Sequence, residues 1–579
     1  LQLMQQAKNL GSVMQLDLSE EAVEFIQQRY QHIKQAEFLD FNLKALLLKL
    51  EAYIPVLVTL SRKFTAVVAN PPYMGQKNMN AQLKDYVGKT YPLSKSDLFA
   101  VFMESTLAMT VREGLMGMIN QHSWMFLSSY EKLRGHILTN CGIVNMLHLG
   151  PRTFEELSGE VVQSTAFILE NGKNIDQGKY YRLVDYRNVK DKEENFSQGN
   201  NKYPNVPQTN FEKIPGSPIA YWVSEKQVSI FESEVVGNSY QITAGIRTSA
   251  DAQFLRFWQE VSKIKLDKSC KDESDLKNNQ NKWFAFNKGG TFRKWFGNLE
   301  HVIDFENQAN NLRNFAHDCR LRNPKIYFRE SITWSRISSG SIGFRLSEQG
   351  SLAGDASPIW LIPDTEERLT VLGFLNSKIA KTTLEFINPT LTYQVRDVSL
   401  IPFQYSKNQI CSKKVKENIE ISKNDWDSRE SSWDFAQSPL LNKSSSIERA
   451  YKTWESAVTQ DFFQLHSNEE ELNRIFIAIY GLQDELTPEV ALKDITILQD
   501  ELNGKDLEAL EPKFRAEGAA AVSLPIDKAA VMQQFIGYAI GLFMGRYRLD
   551  KPGLNIAHPN PTAEELTSYD YNNGHVNID

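Results

Sequence analysis

The sequence is poor in cysteine, and its cysteines are scattered. Only four occur in 579 residues (Cys141, Cys270, Cys319 and Cys411), and no two form a C-x-x-C pair. This spacing indicates neither a disulfide framework nor a zinc ribbon, so we predict no metal site. A reduced, cytoplasmic setting fits this cysteine usage, and no signal peptide is recognised.

Long apolar runs and an excess of positive charge are also missing. The most apolar stretch, Ala529 to Gly545, contains two glutamines and is shorter than the roughly 18 to 20 residues that a membrane span requires. Its glycines recur every fourth residue, which favours close helix packing and predicts no membrane partner. The net charge is −7, so the whole composition does not indicate nucleic acid. The length predicts several domains.

The stretch Phe64 to Gly75, FTAVVANPPYMG, is the most informative part of the chain. Residues Ala66 to Ala69 are apolar and predict a buried central strand. The two prolines that follow Asn70 end that strand. An amide, a carbonyl and an aromatic ring are therefore presented at the carboxyl end of a strand, where open α/β sheets bind ligands.

This stretch resembles the N-P-P-Y motif of amino-group DNA methyltransferases of the N6-adenine kind. The resemblance implies catalytic roles for Asn70, Pro71, Pro72 and Tyr73. The side-chain oxygen of Asn70 and the carbonyl of Pro71 would accept both hydrogens of an adenine amino group. Tyr73 would stack on a base taken out of the duplex. The alternative is a strand-ending turn that happens to have these residues.

The same resemblance implies S-adenosylmethionine as the cofactor, with Asn70 and Asp97 at its site. Asp97 also fits the N-cap of the next helix, and both roles are compatible. The segment QQAKNLGSV resembles one that usually has an acidic residue where this chain has Gln6. Such a domain normally opens with a strand and a glycine-rich turn, but Gly11 is the only glycine before Asn70. We therefore expect a fragment that lacks the amino-terminal half of the catalytic domain.

Hydrophobic periodicity predicts an α/β fold with a mostly parallel sheet that ends in an antiparallel hairpin. Helices are expected at Glu20 to Ile33 and, interrupted by Pro55, at Phe41 to Leu60. Strands are expected at Leu115 to Asn120, Ile143 to Leu149 and Val161 to Leu169. After the first of these strands, Ser123 and Trp124 resemble the base-binding edge of the family. His122 is interpreted as structural, because an attacking amine needs no strong base.

A local basic surplus lies in the middle of the chain. Between Lys282 and Arg345 there are eleven basic and five acidic residues, interleaved with aromatic side chains. Basic residues among aromatics favour contacts with phosphates and with DNA grooves, although a solvated basic face is the plain alternative. The predicted DNA-binding residues are Lys282, Lys288, Arg293, Lys294, Arg322, Lys325, Arg329 and Arg336.

The chain is expected to have five parts. Residues 1–170 form the carboxyl-terminal part of a Rossmann-like catalytic domain, and 171–219 form a connector or insertion. A β-rich mixed target-recognition domain occupies 220–403, because 373–402 resembles the closing segment of such domains. Residues 404–446 have the composition of a linker. A helical region covers 447–579, with separate helices at Ile447 to Gln464 and Glu469 to Ile479.

This order of parts resembles the PglX family, the adenine-specific methyltransferases of BREX phage-defence systems. FTAVVANPPYMGQKNMN, KWFAFNKGGTFRKWFGN and FMGRYRLDKPGLNIA carry the resemblance. It implies methylation of adenine in a short site, marking host DNA. The implied partners are double-stranded DNA, other BREX proteins and phage-encoded inhibitors.

Three alternatives stay open at this point. The first is a single-chain type II restriction–modification enzyme, which would add a nuclease. The second is a DNA-recognition subunit without turnover. The third is methylation of RNA or protein, which does not explain a large β-rich recognition domain.

Overall fold

The computed structural model describes most of the chain. The described residues are 6–16, 18–36, 40–153, 163–186, 188–277, 279–315, 318–337, 341–390, 392–404, 409–441, 444–563, 571–572 and 575–576. Backbone contacts divide the chain into two compact units. The first comprises Leu1–Glu232 with Phe386–Asn388, and the second comprises Ser233–Glu385 with Pro389–Asp579.

The first unit is built around a six-stranded sheet in the order β1-β2-β4-β3-β5-β6. Its strands are β1 (Phe64–Ala69), β2 (Thr110–Gln121), β3 (Gly142–Gly150), β4 (Ser164–Glu170), β5 (Gln177–Arg182) and β6 (Lys202–Pro207). The longer helices are α1 (Glu20–Lys34), α2 (Phe41–Glu51), α3 (Ile54–Ser61), α4 (Ala81–Thr90), α5 (Leu98–Met109), α6 (Glu131–Asn140) and α7 (Val189–Gln198). Short helices lie at Ala7–Leu10, Thr209–Lys213 and Glu225–Val228.

Local signals explain several of these helices. The Ser19 side chain accepts a hydrogen bond from the backbone N–H of Ala22 and caps α1. Asn80 caps α4 in the same way through Leu83. Such caps satisfy backbone donors that the first turn of a helix leaves unpaired. Pro55 lies in the first turn of α3, where its missing N–H costs nothing, so the interruption expected there is confirmed.

The sheet is mixed, so the prediction of a mostly parallel sheet was wrong. β1 pairs with β2 and β3 pairs with β5 in parallel, but β4 is inserted antiparallel between β2 and β3. β6 also pairs antiparallel with β5. The segment interpreted as a connector, 171–219, thus contributes β5, α7 and β6 to this unit. Its polar composition reflects exposed positions on strands such as β6.

β1 also differs from the buried central strand that its apolar sequence predicts. It lies at one end of the strand order, and among the described residues only β2 pairs with it. The Val68 side chain is 85% exposed. Burial depends on neighbouring strands, and a run of β-branched residues does not specify how many neighbours it has. The core of the unit lies further along the sheet, around Phe99, Trp124 and Phe167.

The second unit contains two sheets. One has five strands: β8 (Leu255–Phe257), β9 (Leu266–Asp267), β10 (Trp283–Asn287), β11 (His301–Asp304) and β14 (Ser351–Ala353). The other has four: β7 (Gln241–Thr243), β12 (Ser331–Trp334), β13 (Phe344–Ser347) and β15 (Ile359–Leu361). The pairs of the four-stranded sheet are antiparallel, whereas the five-stranded sheet has two antiparallel pairs (β10 with β11, β11 with β8) and two parallel ones (β10 with β14, β10 with β9). The strands of both sheets lie within 220–403, the range predicted to be β-rich, but they are short and alternate with helices.

Helices make up much of the rest of the second unit. The longer ones are α8 (Glu306–Phe315, kinked near its start), α9 (Thr365–Leu375), α10 (Lys378–Ile387), α11 (Gln409–Asp427), α12 (Ile447–Ile479), α13 (Gly504–Glu517) and α14 (Lys528–Phe543). Short helices lie at Val236–Ser239, Asp251–Phe254 and Val395–Ser399, and a two-residue strand pair joins Tyr571–Asn572 to His575–Val576. Within the described ranges no helix is both long enough and apolar enough to cross a membrane.

Two predictions for the carboxyl-terminal part are corrected. The expected linker 404–446 contains α11, which packs against α9 and α12 and buries Val415, Ile421 and Trp426. Its polar composition conceals an apolar stripe of helical period. The two helices expected at 447–479 are one continuous helix, α12, which ends at Tyr480 and Gly481. Gly481 has φ of +66°, the left-handed conformation common just after a helix.

Candidate functional site

The N-P-P-Y turn follows β1 directly. β1 runs parallel to β2, with Val68 opposite Gly117 and Ala69 opposite Met118. Asn70 and Pro72 are exposed, whereas Pro71 is buried between them. The turn therefore presents the Asn70 amide at the carboxyl end of a parallel strand pair, as its sequence predicts.

Tyr73 is held in place by its surroundings. Its ring packs edge-on against Phe99, with centroids 6.0 Å apart and planes at 81°. Burial raises the pKa of the Tyr73 phenol, and the neighbouring Ser164 hydroxyl partly offsets that rise. An aromatic ring fixed in this manner, three residues after Asn70, is suited to stack on a planar ligand.

Asp97 joins the loop after the turn to the start of α5. Its Oδ1 atom accepts hydrogen bonds from the N–H groups of Met74 (2.9 Å) and Phe99 (3.3 Å). The N–H of Leu98 donates to the carbonyl of Met74 at 3.0 Å, and Gly75 forms an antiparallel bridge with Asp97. Burial raises the pKa of the Asp97 carboxyl, opposed by these backbone donors. The predicted N-cap is confirmed, whereas the loop contact had no local sequence signal.

A buried network lies at the end of β2. The Nδ1 atom of His122 is 2.8 Å from Nε2 of His148, and His148 Nδ1 is 3.2 Å from the Tyr221 hydroxyl. Burial lowers the pKa of His122 to about 4, so this ring is neutral at pH 7. Trp124 is fully buried against Phe167. These contacts favour a structural role for His122. No local pattern indicates His148 or Tyr221 as its partners, because they lie 26 and more residues away in the chain.

The segment that contains Gln6 is folded against α4 and α5. The Gln6 carbonyl accepts hydrogen bonds from the N–H groups of Asn9 and Leu10, but its side chain does not cap the short helix that follows. The Tyr91 hydroxyl donates to the carbonyl of Val13 at 2.6 Å. The expected donor-binding segment thus belongs to the same unit as the N-P-P-Y turn.

Two of the eight predicted DNA-binding residues are buried, and this prediction is corrected. Arg293 is 3% exposed and Lys294 is 7% exposed. Arg293 pairs with Asp425, and Lys294 pairs with Glu469. A cation that is buried against a carboxylate of its own chain is not available to a DNA phosphate.

The other six predicted residues remain accessible to different degrees. Lys282 pairs with Asp304 at 3.2 Å and Lys288 with Asp251 at 3.1 Å, both as partly exposed side chains. Arg322 and Arg336 both contact Asp355. Lys325 and Arg329 are exposed. Within the described residues, no group of three or more His, Cys, Asp or Glu side chains is arranged as a metal site.

Comparison with known proteins connects both units to one kind of enzyme. The family model for Eco57I restriction-modification methylases matches residues 4–154. The adenine-specific methyltransferase PglX of Lacticaseibacillus casei (strain Zhang) is 39% identical over 518 residues, which cover 86% of this chain and 41% of that protein. The chain is a homologue of the PglX-type adenine-specific methyltransferases.

A second relative is also an adenine-specific methyltransferase. The adenine-specific methyltransferase BrxX of Escherichia coli O9:H4 (strain HS) is 34% identical over 564 residues, covering 96% of this chain and 45% of that protein. This chain therefore spans less than half the length of these two relatives. The matched family model covers the N-P-P-Y turn, Asp97 and His122. The matches to PglX and BrxX cover most of both units.

Solved structures give weaker likenesses to the PglX-type chain. The type IIL restriction-modification enzyme MmeI, in complex with DNA, is 12% identical with a TM-score of 0.41, covering 77% of this chain and 57% of that one. A nuclease-deletion mutant of the type ISP enzyme LlaGI, in complex with a DNA substrate mimic, is 14% identical with a TM-score of 0.41, covering 68% and 44%. At these TM-scores neither likeness supports an argument.

Proposed function

We propose that this chain is part of a site-specific N6-adenine DNA methyltransferase that marks host DNA in a BREX phage-defence system. The observation that carries the proposal is the similarity to PglX and BrxX across almost the whole chain. The exposed Asn70 at the end of β1 supports it.

The chemistry at Asn70 and Pro71 is hydrogen-bond acceptance. An exocyclic amino group conjugated to a purine is a poor nucleophile, because its lone pair is delocalised into the ring. The Asn70 side-chain oxygen and the Pro71 carbonyl would each accept one amino hydrogen, which directs the lone pair out of the ring plane. Proline has no N–H, so Pro71 and Pro72 place no competing donor in the site. The proton leaves after attack, when the amine is acidic, so no strong base is required.

The neighbouring side chains would position the adenine. Tyr73, held against Phe99, would stack on the flipped base. Asp97 fixes the backbone of Met74, directly after Tyr73, and so limits the movement of the turn. Orientation of this kind contributes much of the rate in a transfer between two bound groups.

The cofactor implied by the family fits the polar groups at this edge of the sheet. The half-buried carboxylate of Asp97 and the exposed amide of Asn70 are the residues that would border S-adenosylmethionine, which supplies an electrophilic methyl group when bound. The neutral side chain of Gln6 would replace one acidic contact to it. Tyr73 and Asn70 would keep the adenine amino group directed at that methyl carbon.

The second unit would supply DNA recognition. Its β-rich part retains exposed cations at Lys325 and Arg329 and partly exposed ones at Lys282 and Lys288. Such residues are suited to contact phosphates of double-stranded DNA. Other BREX proteins would be the partners, and phage-encoded inhibitors would compete for the same surfaces.

Long-read modification sequencing tests this function. DNA is compared from cells that carry the full-length gene with its neighbours and from cells in which Asn70→Ala replaces the wild type. We expect N6-methyladenine at one short motif in the wild type and none in the variant. DNA binding by the purified variant should remain nearly unchanged, because Asn70 acts on the amino group and not on the duplex.

Other results would contradict parts of the proposal. Equal loss of methylation and DNA binding in Asn70→Ala would remove the role assigned to Asn70. If the wild type leaves no modified motif but binds DNA, the chain belongs to a recognition subunit without turnover. Cleavage of unmodified DNA by the purified protein would identify a restriction–modification enzyme.

A further inference from the structure

Two arginines of the second unit share one carboxylate at the surface. Arg322 Nη2 is 3.2 Å from Asp355 Oδ1, and Arg336 Nη1 is 2.9 Å from Asp355 Oδ2. Both arginine side chains are 30% exposed and Asp355 is 22% exposed. Since each carboxylate oxygen holds a different guanidinium, Asp355 sets the position of both.

The backbone around this triad is fixed by hydrogen bonds. The Asp355 N–H donates to the Ile246 carbonyl at 2.7 Å, and the Arg336 N–H donates to the Ala356 carbonyl at 2.9 Å. Gly245 allows this close approach, because a Cβ atom there would lie 2.1 Å from the Ala353 carbonyl oxygen. The carboxylate is therefore held by rigid neighbours.

The triad keeps a positive charge and unused donors. Two guanidiniums against one carboxylate leave a net charge of about +1. A guanidinium has five N–H donors; Arg322 uses Nε on the Gly245 carbonyl and Nη2 on Asp355, whereas Arg336 uses Nη1. Nε of Arg336 is buried, so the donors that remain for a ligand are those on the Nη atoms, which are suited to a planar pair of acceptors.

Further cations lie beside the triad. The backbones of Arg247 and Arg320 pair through hydrogen bonds of 3.0 and 2.9 Å, next in sequence to Ile246 and two residues before Arg322. Both residues are exposed, and no acid of the described chain forms an ion pair with them. Neither residue is among the eight predicted DNA-binding residues. Two exposed cationic residues therefore lie close to the triad along the backbone, and such residues are suited to contact a phosphate backbone.

We infer that Arg322 and Arg336 read base edges in the DNA target, and that Asp355 is the residue that positions them. The ligand is a guanine edge in the major groove, whose O6 and N7 atoms accept two hydrogen bonds from one guanidinium. This inference rests on the proposed DNA function and adds the residues that determine its specificity.

A change in the charge of Asp355 distinguishes two roles for this site: positioning of arginines that read bases, and simple attraction of phosphates. If the patch only attracts phosphates, Asp355→Asn strengthens binding to every DNA, because it removes a negative charge. If Asp355 positions the arginines, the same change lowers the preference for the target while binding to other sequences stays equal or becomes tighter. Arg336→Lys keeps the charge but loses the planar pair of donors, so it should act in the same direction.

The experiment measures sequence preference directly. The full-length wild-type protein is used to select duplexes from a random-sequence library, and binding is then measured to the selected target and to its single-base variants at two salt concentrations. Asp355→Asn and Arg336→Lys are compared with Asp550→Asn and Arg548→Lys. These matched controls alter one surface ion pair, Arg548–Asp550.

We expect Asp355→Asn and Arg336→Lys to reduce discrimination by about tenfold or more at one or two base pairs, with melting temperatures close to wild type. The two controls should keep wild-type discrimination. Unchanged discrimination in Asp355→Asn, or stronger binding to all duplexes alike, would overturn the inference and leave the methyltransferase proposal standing. A wild type that selects no sequence and leaves no modified motif would overturn both.

Discussion

At the scale of single residues, Asp97 has more consequences than its capping role suggests. One oxygen atom accepts from the N–H of Met74, after the N-P-P-Y turn, and from the N–H of Phe99, in α5. Helix capping and the position of the turn therefore depend on the same carboxylate. An amide in its place would retain an acceptor oxygen, whereas a methyl group would not.

Replacing Asp97 with alanine should lower both stability and turnover. Loss of an N-cap costs about 1 kcal/mol of unfolding free energy, and release of the Met74 backbone should slow methylation beyond the effect of that loss. Thermal unfolding and single-turnover methylation measure the two effects. Asp97→Asn is the control and should keep most of the stability. Normal turnover in Asp97→Ala would show that the loop contact does not position the turn.

The buried histidines predict a dependence of stability on pH. His122 is neutral in the folded chain, with a pKa of about 4 instead of 6.5, because burial disfavours its charged form. The unfolded chain therefore binds more protons between these values, and stability must fall as the pH drops from 6.5 to about 4. Protonation of His122 accounts for at most about 3 kcal/mol of this loss in the free energy of unfolding.

His122→Gln should reduce that acid sensitivity. Denaturant unfolding of the wild type and the variant at pH 7 and pH 5 gives the difference directly. The variant should lose less stability between the two pH values than the wild type does. This holds even if the variant is less stable at pH 7 because it lacks the contact between His122 and His148. An identical loss in both proteins would mean that other groups control the acid response.

At the scale of elements, the segment 292–296 connects the β-rich part of the second unit to its helices. Lys294 and the Trp295 indole both bind Glu469 of α12, and Arg293 binds Asp425 of α11. The Lys294 N–H also donates to the Thr496 hydroxyl at 3.1 Å. Arg293 and Lys294, which the sequence predicts to bind DNA, thus connect this segment to α11 and α12.

Loss of either cation should destabilise the second unit. Lys294→Ala removes the cation that pairs with the buried Glu469 carboxylate, which typically costs about 3 to 5 kcal/mol. Arg293→Ala should cost less, because Asp425 keeps its ion pair with Arg429 at 3.0 Å. Lys416→Ala, which removes an exposed pair with Glu366, is the control and should cost less than about 1 kcal/mol. Thermal unfolding measures both. A folded, equally stable Arg293→Ala protein with weaker DNA binding would restore the surface role.

At the scale of the whole molecule, the sequence predicted features with local causes and missed those with distant ones. The turn at Asn70, the cap at Asp97 and the helix from Glu20 follow from adjacent residues. The ion pairs of Arg293 and Lys294 join positions 132 and 175 residues apart, and no local pattern indicates them. The exposure of Val68 likewise depends on which strands lie beside β1. Helix α11 was not predicted because its many lysines and asparagines are typical of a linker.

The site was predictable to a similar extent. The N-P-P-Y turn lies at the carboxyl end of β1, as its sequence predicts, because adjacent residues specify where the strand ends. The proposed recognition surface was not predictable from charge alone, since a sequence does not distinguish a buried cation from an exposed one. Only the folded chain distinguishes Arg293, which is 3% exposed, from Arg336, which is 30% exposed at its side chain.

If the second unit supplies DNA recognition, as proposed, the contacts of 292–296 also limit how its target sequence could change. An exchange of the β-rich segment alone would bring a foreign loop against Asp425 and Glu469, whose carboxylates are shaped to receive a particular arginine and lysine. Recombination should therefore succeed when the sheets travel together with α11 and α12. Under the proposed function, DNA specificity would then be exchanged with the second unit as a whole, helices included, and single-residue changes at its surface would adjust it further.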